Sequence, residues 1–259
     1  MISALVGGFG WIIKKPALLL PCLISTALLL VLLVMADSAL QGLVFDLTLD
    51  NALPQGGIAE LPFLLYSMYP WEINSILAVI LVSGIIGNWL AFCLARFAKE
   101  EKGILSAIGF ATANIGNAFF LTIMEALVIG FFFALALLAM QLGAINDILG
   151  IITGIFFAFI GLLVYLVFIF LPAVLAVNEM TIKEALKESG SFVKKHVLSA
   201  VVFIIILGLL FSLISNLGAN IGVLFNDDLL FFLVDFVFLL LATAYAGITV
   251  PLYYLSAKK

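Results

Sequence analysis

Six stretches with almost no charge set the limits on what this chain can fold into, because a helix needs about 20 apolar residues to cross a bilayer. They cover residues 16–36, 73–95, 113–140, 148–178, 197–216 and 229–257. The only charges inside them are Glu125 in the third and Asp235 in the sixth. The chain is 66% apolar and 10% charged, where a soluble domain is about 45–50% apolar and about 25% charged. A water-soluble core could not hide that much apolar surface, so lipid is the solvent for most of it. This excludes a cytosolic enzyme, a nucleic-acid binder and a disordered chain. In lipid the backbone must pair its own polar groups, and single spans do so as helices. The expected fold is an all-α polytopic membrane protein with six transmembrane helices. The fourth and sixth stretches exceed the bilayer thickness and are expected to tilt or project.

Charge orders these spans. Lys14 and Lys15 precede the first, Arg96, Lys99 and Lys102 join the second to the third, Lys183, Lys187, Lys194 and Lys195 join the fourth to the fifth, and Lys258 and Lys259 follow the sixth. The opposite connections carry Asp37, Asp46, Asp50, Glu60, Glu72, Asp147, Asp227 and Asp228 and no cation. By the positive-inside rule both termini are cytoplasmic, in a multi-pass protein of the cell membrane. Lys14-Lys15, the apolar run and Val34-Met35-Ala36 mimic a signal peptide. The run is as long as a span and its unit recurs, so it is expected to be retained.

The recurrence is threefold. Ser3-Ala4-Leu5-Val6-Gly7-Gly8-Phe9, Ser106-Ala107-Ile108-Gly109-Phe110 and Glu184-Ala185-Leu186-Lys187-Glu188-Ser189-Gly190 each lead into a span, an outer loop and a returning span. The expected organisation is one transmembrane domain, 1–259, of three parallel repeats: 1–102, 103–179 and 180–259. Each is an interfacial amphipathic helix plus a helical hairpin. The third helix has a capping box, Thr181 with Glu184. Its apolar side holds Ile182, Ala185, Leu186, Ser189 and Val193. Lys14, Lys15, Lys183, Lys187, Lys194 and Lys195 are the expected contacts to anionic headgroups on the cytoplasmic side. The first outer loop, 37–72, is expected to be coil over 51–57. Over 58–71 it is apolar and rich in Tyr and Trp, and is expected to act as an interfacial anchor.

Helices in lipid associate through close backbone approach, which small residues four apart permit. Ser83/Gly87/Ala91, Ala126/Gly130/Ala134, Gly154/Ala158, Gly208/Ser212 (Asn216 next) and Ala242/Ala246 supply such stripes and predict a compact bundle.

A carboxylate within a span costs roughly 2.5–3.5 kcal/mol and marks a functional hypothesis by default. No span holds Lys or Arg. Glu125 and Asp235 must therefore be neutral, solvated by a cavity, hydrogen-bonded, or paired with an imported cation. Asp235 shares a helical face with Ala242 and Ala246 and is expected to face inward. Asn88, Asn114, Asn117, Tyr165 and Tyr245 are the polar neighbours on offer, and Glu125, Asp235 and Asn88 form the candidate ion or substrate site. Cys22 and Cys93 lie in apolar runs and are expected to pack as small hydrophobes. His196 alone with two distant cysteines is a poor metal set. No Walker loop, zinc-binding helix motif or Gly-x-Ser-x-Gly elbow is present, so no enzymatic activity, cofactor or metal is expected. The leading expectation is a membrane accessory or organising protein with a membrane-protein partner or a second copy of itself. The alternative is a small-solute or ion transporter or channel using Glu125 and Asp235.

Residues Pro172-Ala173-Val174-Leu175-Ala176-Val177, then Ile182-Lys183-Glu184-Ala185-Leu186-Lys187-Glu188-Ser189 and Phe192-Val193-Lys194-Lys195, carry a resemblance. In layout and in these residues the chain resembles prokaryotic, archaeal-type six-span proteins related to the membrane domain of glycerophosphodiester phosphodiesterases. The resemblance implies the six-span layout with amphipathic helices before spans. The phosphodiesterase domain and its metal-binding acids are missing here, so that activity is not implied. Gly10-Trp11-Ile12-Ile13 with Pro16 and Pro21 is also similar to the opening of sulfate-uptake membrane proteins, as far as about residue 40.

Overall fold

A computed structural model describes residues 1–49, 67–100, 103–224 and 227–258. Its helices are α1 (Ile2–Lys14), α2 (Leu19–Leu49, after a 3₁₀ turn at Pro16–Leu18), α3 (Pro70–Glu100), α4 (Ile104–Ala113), α5 (Ile115–Ile145), α6 (Asp147–Asn178), α7 (Ile182–Gly222) and α8 (Asp228–Ala257). No strand occurs among the described residues. Six of the helices are long and apolar enough to span a membrane, as expected for an all-α polytopic fold. α3, α5, α6 and α8 run 30 to 32 residues. At 1.5 Å per residue they are about 45 Å long, more than the hydrocarbon core of about 30 Å.

The expected first outer loop is shorter than its sequence range. α2 stays helical to Leu49 and α3 begins at Pro70, because no proline falls between Asp37 and Leu49 and a single glycine, Gly42, costs only about 1 kcal/mol. The coil expected over 51–57, and most of the anchor expected over 58–71, lie outside the described residues. At the next outer turn only Asn146 separates α5 from α6. Its side-chain oxygen caps α6 by accepting from the amides of Ile148 and Leu149, at 3.0 and 3.2 Å. That turn is too short for anything but an antiparallel pair.

On the basic side, three helical pieces lead into spans across residues with non-helical backbone: Lys15 (φ −132°, ψ 68°), Asn114 (φ −102°, ψ 19°) and His196 (φ −124°, ψ 23°). The break inside α7 therefore falls at the residue before the expected span start. The capping box at Thr181 and Glu184 is formed. Each piece lies on a different returning span. α1 packs on α8, with Ala4 and Gly8 buried and the Tyr245 hydroxyl donating to the Leu5 carbonyl at 3.2 Å. α4 packs on α3, with Ala107 and Ala111 buried and Trp89 Nε1 donating to Thr112 Oγ1 at 3.2 Å. The first part of α7 packs on α6, with Ala185 and Ser189 buried and Ser189 Oγ donating to the Val167 carbonyl at 2.7 Å.

Ion pairs tie these ends together. Glu179 ends α6 in the left-handed region (φ 53°, ψ 41°), which costs a non-glycine residue about 1 kcal/mol. Its carboxylate accepts from Arg96 and, at 3.0 Å, from Lys99 Nζ. Arg96 also pairs with Glu100 and lies over the Phe110 ring. Hydrogen bonding to Arg96, then to Lys99, holds the Glu179 carboxyl down to about 2 from an ordinary 4.5. A carboxyl whose pKa is depressed by folding stabilises the fold above its unfolded pKa, and that stability is lost as pH falls through the folded value. Wild type should therefore melt slightly above Glu179→Gln at neutral pH. The gap should close between about pH 5 and pH 2. The effect is small because the side chain is half exposed. A melting-temperature gap that does not change over that window would show that the pair contributes nothing to stability.

The bundle centre is filled. Phe92, Cys93, Leu94, Leu166, Phe170, Phe203, Tyr245, Ile248 and Tyr254 are all buried to within 1%. Cys22 is also fully buried and both cysteines are free, as expected of small packed hydrophobes. The expected small-residue stripes are corrected in part. Ala242 is buried, but Gly87, Ala126, Gly130, Ala134, Ala158, Gly208 and Ser212 are exposed. The close approaches occur elsewhere. A Cβ on Gly84 would lie 2.5 Å from Thr122 Cγ2, and one on Gly218 would lie 2.6 Å from Phe238 Cβ.

Candidate functional site

The site begins with a glycine. Because Gly84 has no side chain, α5 approaches α3 closely enough for Thr122 to sit against it. One turn on, Asn88 is only 6% exposed. Asn88 Nδ2 donates to Thr122 Oγ1 at 3.1 Å and to Glu125 Oε2 at 3.0 Å. Thr122 Oγ1 in turn donates to the Ala118 carbonyl at 2.9 Å. Thr122 and Glu125 are three residues apart, on one face of α5. Asn88 thus spends its donor group, while its Oδ1 and Glu125 Oε1 accept no hydrogen bond among the described residues.

Both side chains line a cavity of about 580 Å³ between α3, α5 and α6. Its other walls are apolar or aromatic, including Phe132, Tyr165, Phe168 and Pro172. Pro172 has no N–H, so the Phe168 carbonyl four residues earlier loses its usual helical donor. Glu125 is ten residues into α5, about 15 Å from its start. No Lys or Arg lines the cavity. It therefore offers acceptor oxygens, a carboxylate and aromatic faces in an open, apolar-walled cleft, which suits binding a donor-bearing guest.

Phe132 packs on Gly161, where a Cβ would meet Phe132 Cδ1 at 3.4 Å. Both residues also line a second groove, of about 750 Å³, that follows α5 and α6 toward Asp147. On the basic side, a groove of about 930 Å³ is lined by Asn117, Glu179, Lys183 and Leu186.

Of the side chains singled out in the sequence, Glu125 and Asn88 come together. Asp235 does not join them. It is half-buried in the seam between α7 and α8, its Cα 3.2 Å from where a Gly218 Cβ would be. Asp235 makes no hydrogen bond or ion pair among the described residues. Tyr165 lines the cavity. Asn114 and Asn117 bond each other at 3.0 Å at the start of α5, and Tyr245 serves α1. Thr122, Pro172, Phe132 and Phe168 were missed. Thr122 at three residues from Glu125, and a proline within a span, were the available signals. Lys14, Lys183, Lys187, Lys194 and Lys195 are exposed, while Lys15 lies over the Trp11 ring at 4.1 Å. Compared with family models, characterised proteins and solved structures, the chain matches none.

Proposed function

We propose that this integral membrane protein is a non-enzymatic accessory or organising protein of the cell membrane, with both termini cytoplasmic. The observation that carries this reading is the contrast between a filled bundle centre and an uncovered α5. Of the six spans, α5 is the least buried, and Ala126, Gly130 and Ala134 form a small-residue stripe along its lipid side. Small residues at spacing four are what membrane helices use to approach one another. α5 is thus suited to receive a partner helix, and the packed centre weighs against solute passage along the bundle axis.

The same proposal includes three parallel repeats. Ala4 with Gly8, Ala107 with Ala111, and Ala185 with Ser189 are equivalent buried pairs. Each piece rests on the returning span of the repeat before it, and α1 closes the ring on α8. The exposed lysines around that ring face anionic headgroups. The layout likeness to the archaeal-type six-span group belongs to this proposal too.

A single-cysteine scan in native membranes tests the reading. Gly130→Cys should give a thiol-crosslinked species whose mass identifies a second copy or a partner. Ile155→Cys, exposed on α6, should stay monomeric. Equal absence of adducts at both positions would remove α5 as a docking helix.

A further inference from the structure

We propose that the cavity between α3, α5 and α6 is a binding site for a free lipophilic ammonium, a protonated amine on a compact apolar body. This goes beyond the accessory reading and does not rest on it. Four observations select the guest. First, Asn88, more than nine-tenths buried, lines this cavity together with Glu125, and neither Asn88 Oδ1 nor Glu125 Oε1 accepts a hydrogen bond among the described residues. Two acceptors call for a guest with N–H or O–H donors. Second, Glu125 is a carboxylate in a span and the cavity walls bring no cation to it. A cationic guest relieves the cost of a carboxylate in hydrocarbon, and a neutral alcohol does not.

Third, the walls are aromatic. Phe132, Tyr165 and Phe168 line the same cavity as the carboxylate–amide pair, and aromatic faces attract organic ammonium groups. A bare metal ion needs a fuller set of oxygen ligands than this cavity supplies. Fourth, the volume of about 580 Å³ lies in the range of small-molecule sites. Glu125 is about 15 Å in from the start of α5. The mouth is lateral. Tyr165 is 56% exposed and Gly87 is open to the cavity and to lipid, so the guest arrives from the membrane.

The test uses the full chain in phosphatidylcholine nanodiscs, with tritiated 1-aminoadamantane as probe and unlabelled 1-adamantanol as neutral competitor. Wild type should bind the amine saturably, and the alcohol should compete at least about tenfold less well, since hydrogen bonds to charged groups are the stronger ones. Glu125→Gln, nearly isosteric, should weaken the amine by about tenfold or more. Gly87→Leu is a second variant. Gly87 lines the cavity and a Cβ there meets nothing within 4 Å, so a side chain added at its wall should weaken binding strongly while the melting temperature stays at or above that of wild type. Asp235→Asn should bind as wild type does. The proposal is overturned by non-saturable binding to wild type, by equal competition from the alcohol, or by unchanged affinity in both Glu125→Gln and Gly87→Leu.

Discussion

Gly150→Ala is expected to destabilise the protein by about 1–3 kcal/mol, the usual cost of forcing a methyl group into a packed contact. The reason is what the methyl would meet. A Cβ on Gly150 would overlap Gly143 Cα, lie 2.8 Å from Gly143 N and lie 3.2 Å from the Ala139 carbonyl oxygen. All three are backbone atoms of α5, and none can turn aside as a side chain can. With only Asn146 between the helices, the α5–α6 pair can relieve the overlap only by splaying. α5 packs mainly on α6 and α3, so little else would hold it in place. Gly154→Ala, about one turn further along α6, supplies the control. Its Cβ meets nothing within 4 Å, and replacing a helix-interior glycine gains up to about 1 kcal/mol. Thermal unfolding in detergent should place Gly150→Ala well below wild type and Gly154→Ala at or above it. Equal melting temperatures for the two would show that the helices do not approach there.

The contrast between these glycines explains what could be read from the chain and what could not. The six spans and their common basic side follow from two strong signals: apolar runs of bilayer length, and lysines confined to alternate connections. Both act on whole segments, so one residue more or less does not blur them. The faces by which helices meet are different. A span such as α5 is apolar all round, so no periodicity separates its inner from its outer side. Spacing four singled out Gly154 with Ala158 and Ala126 with Gly130 and Ala134. Gly150, Gly84 and Gly218 make the close contacts instead, because a neighbouring helix, and not the span itself, decides which small residues are needed. The polar site was half legible for a related reason. Glu125 stood out as a charge in hydrocarbon, and Asn88 stood out among the few polar side chains near its depth. By the same rule Asp235 stood out equally, yet it lies seven residues into α8, in a seam with no partner for it. The rule finds costly residues and is blind to which of them share a cavity.

The aromatic cluster where α6, α7 and α8 meet should be the costliest place to remove a side chain. The rings of Phe203 and Tyr253 stack at 4.1 Å between centroids and 11° between planes. Phe170 lies between Phe203, Phe192 and Tyr253, and Phe192 meets Tyr254 edge-on at 5.1 Å. Two hydrogen bonds tie the cluster to the surrounding helices: Tyr253 Oη with Ser199 Oγ at 2.6 Å, and Asn178 Nδ2 donating to Tyr254 Oη at 2.9 Å. Lipid tails are as apolar as a phenyl ring, so burying Phe203 gains little from the hydrophobic effect. What holds it is dispersion between close-packed atoms and the preferred geometry of stacked rings. Truncation forfeits both, and leaves a void too deep in the bundle for a lipid chain to fill. Phe203→Ala should therefore cost about 3 kcal/mol, the lower end of the range for soluble cores, where transfer from water adds to the loss. Tyr253→Phe keeps the stack and removes only the bond to Ser199, for about 1 kcal/mol. Reversible unfolding in bicelles, followed by steric trapping, ranks the two. Should Tyr253→Phe prove the more damaging, hydrogen bonding and not ring packing would be what joins these three spans.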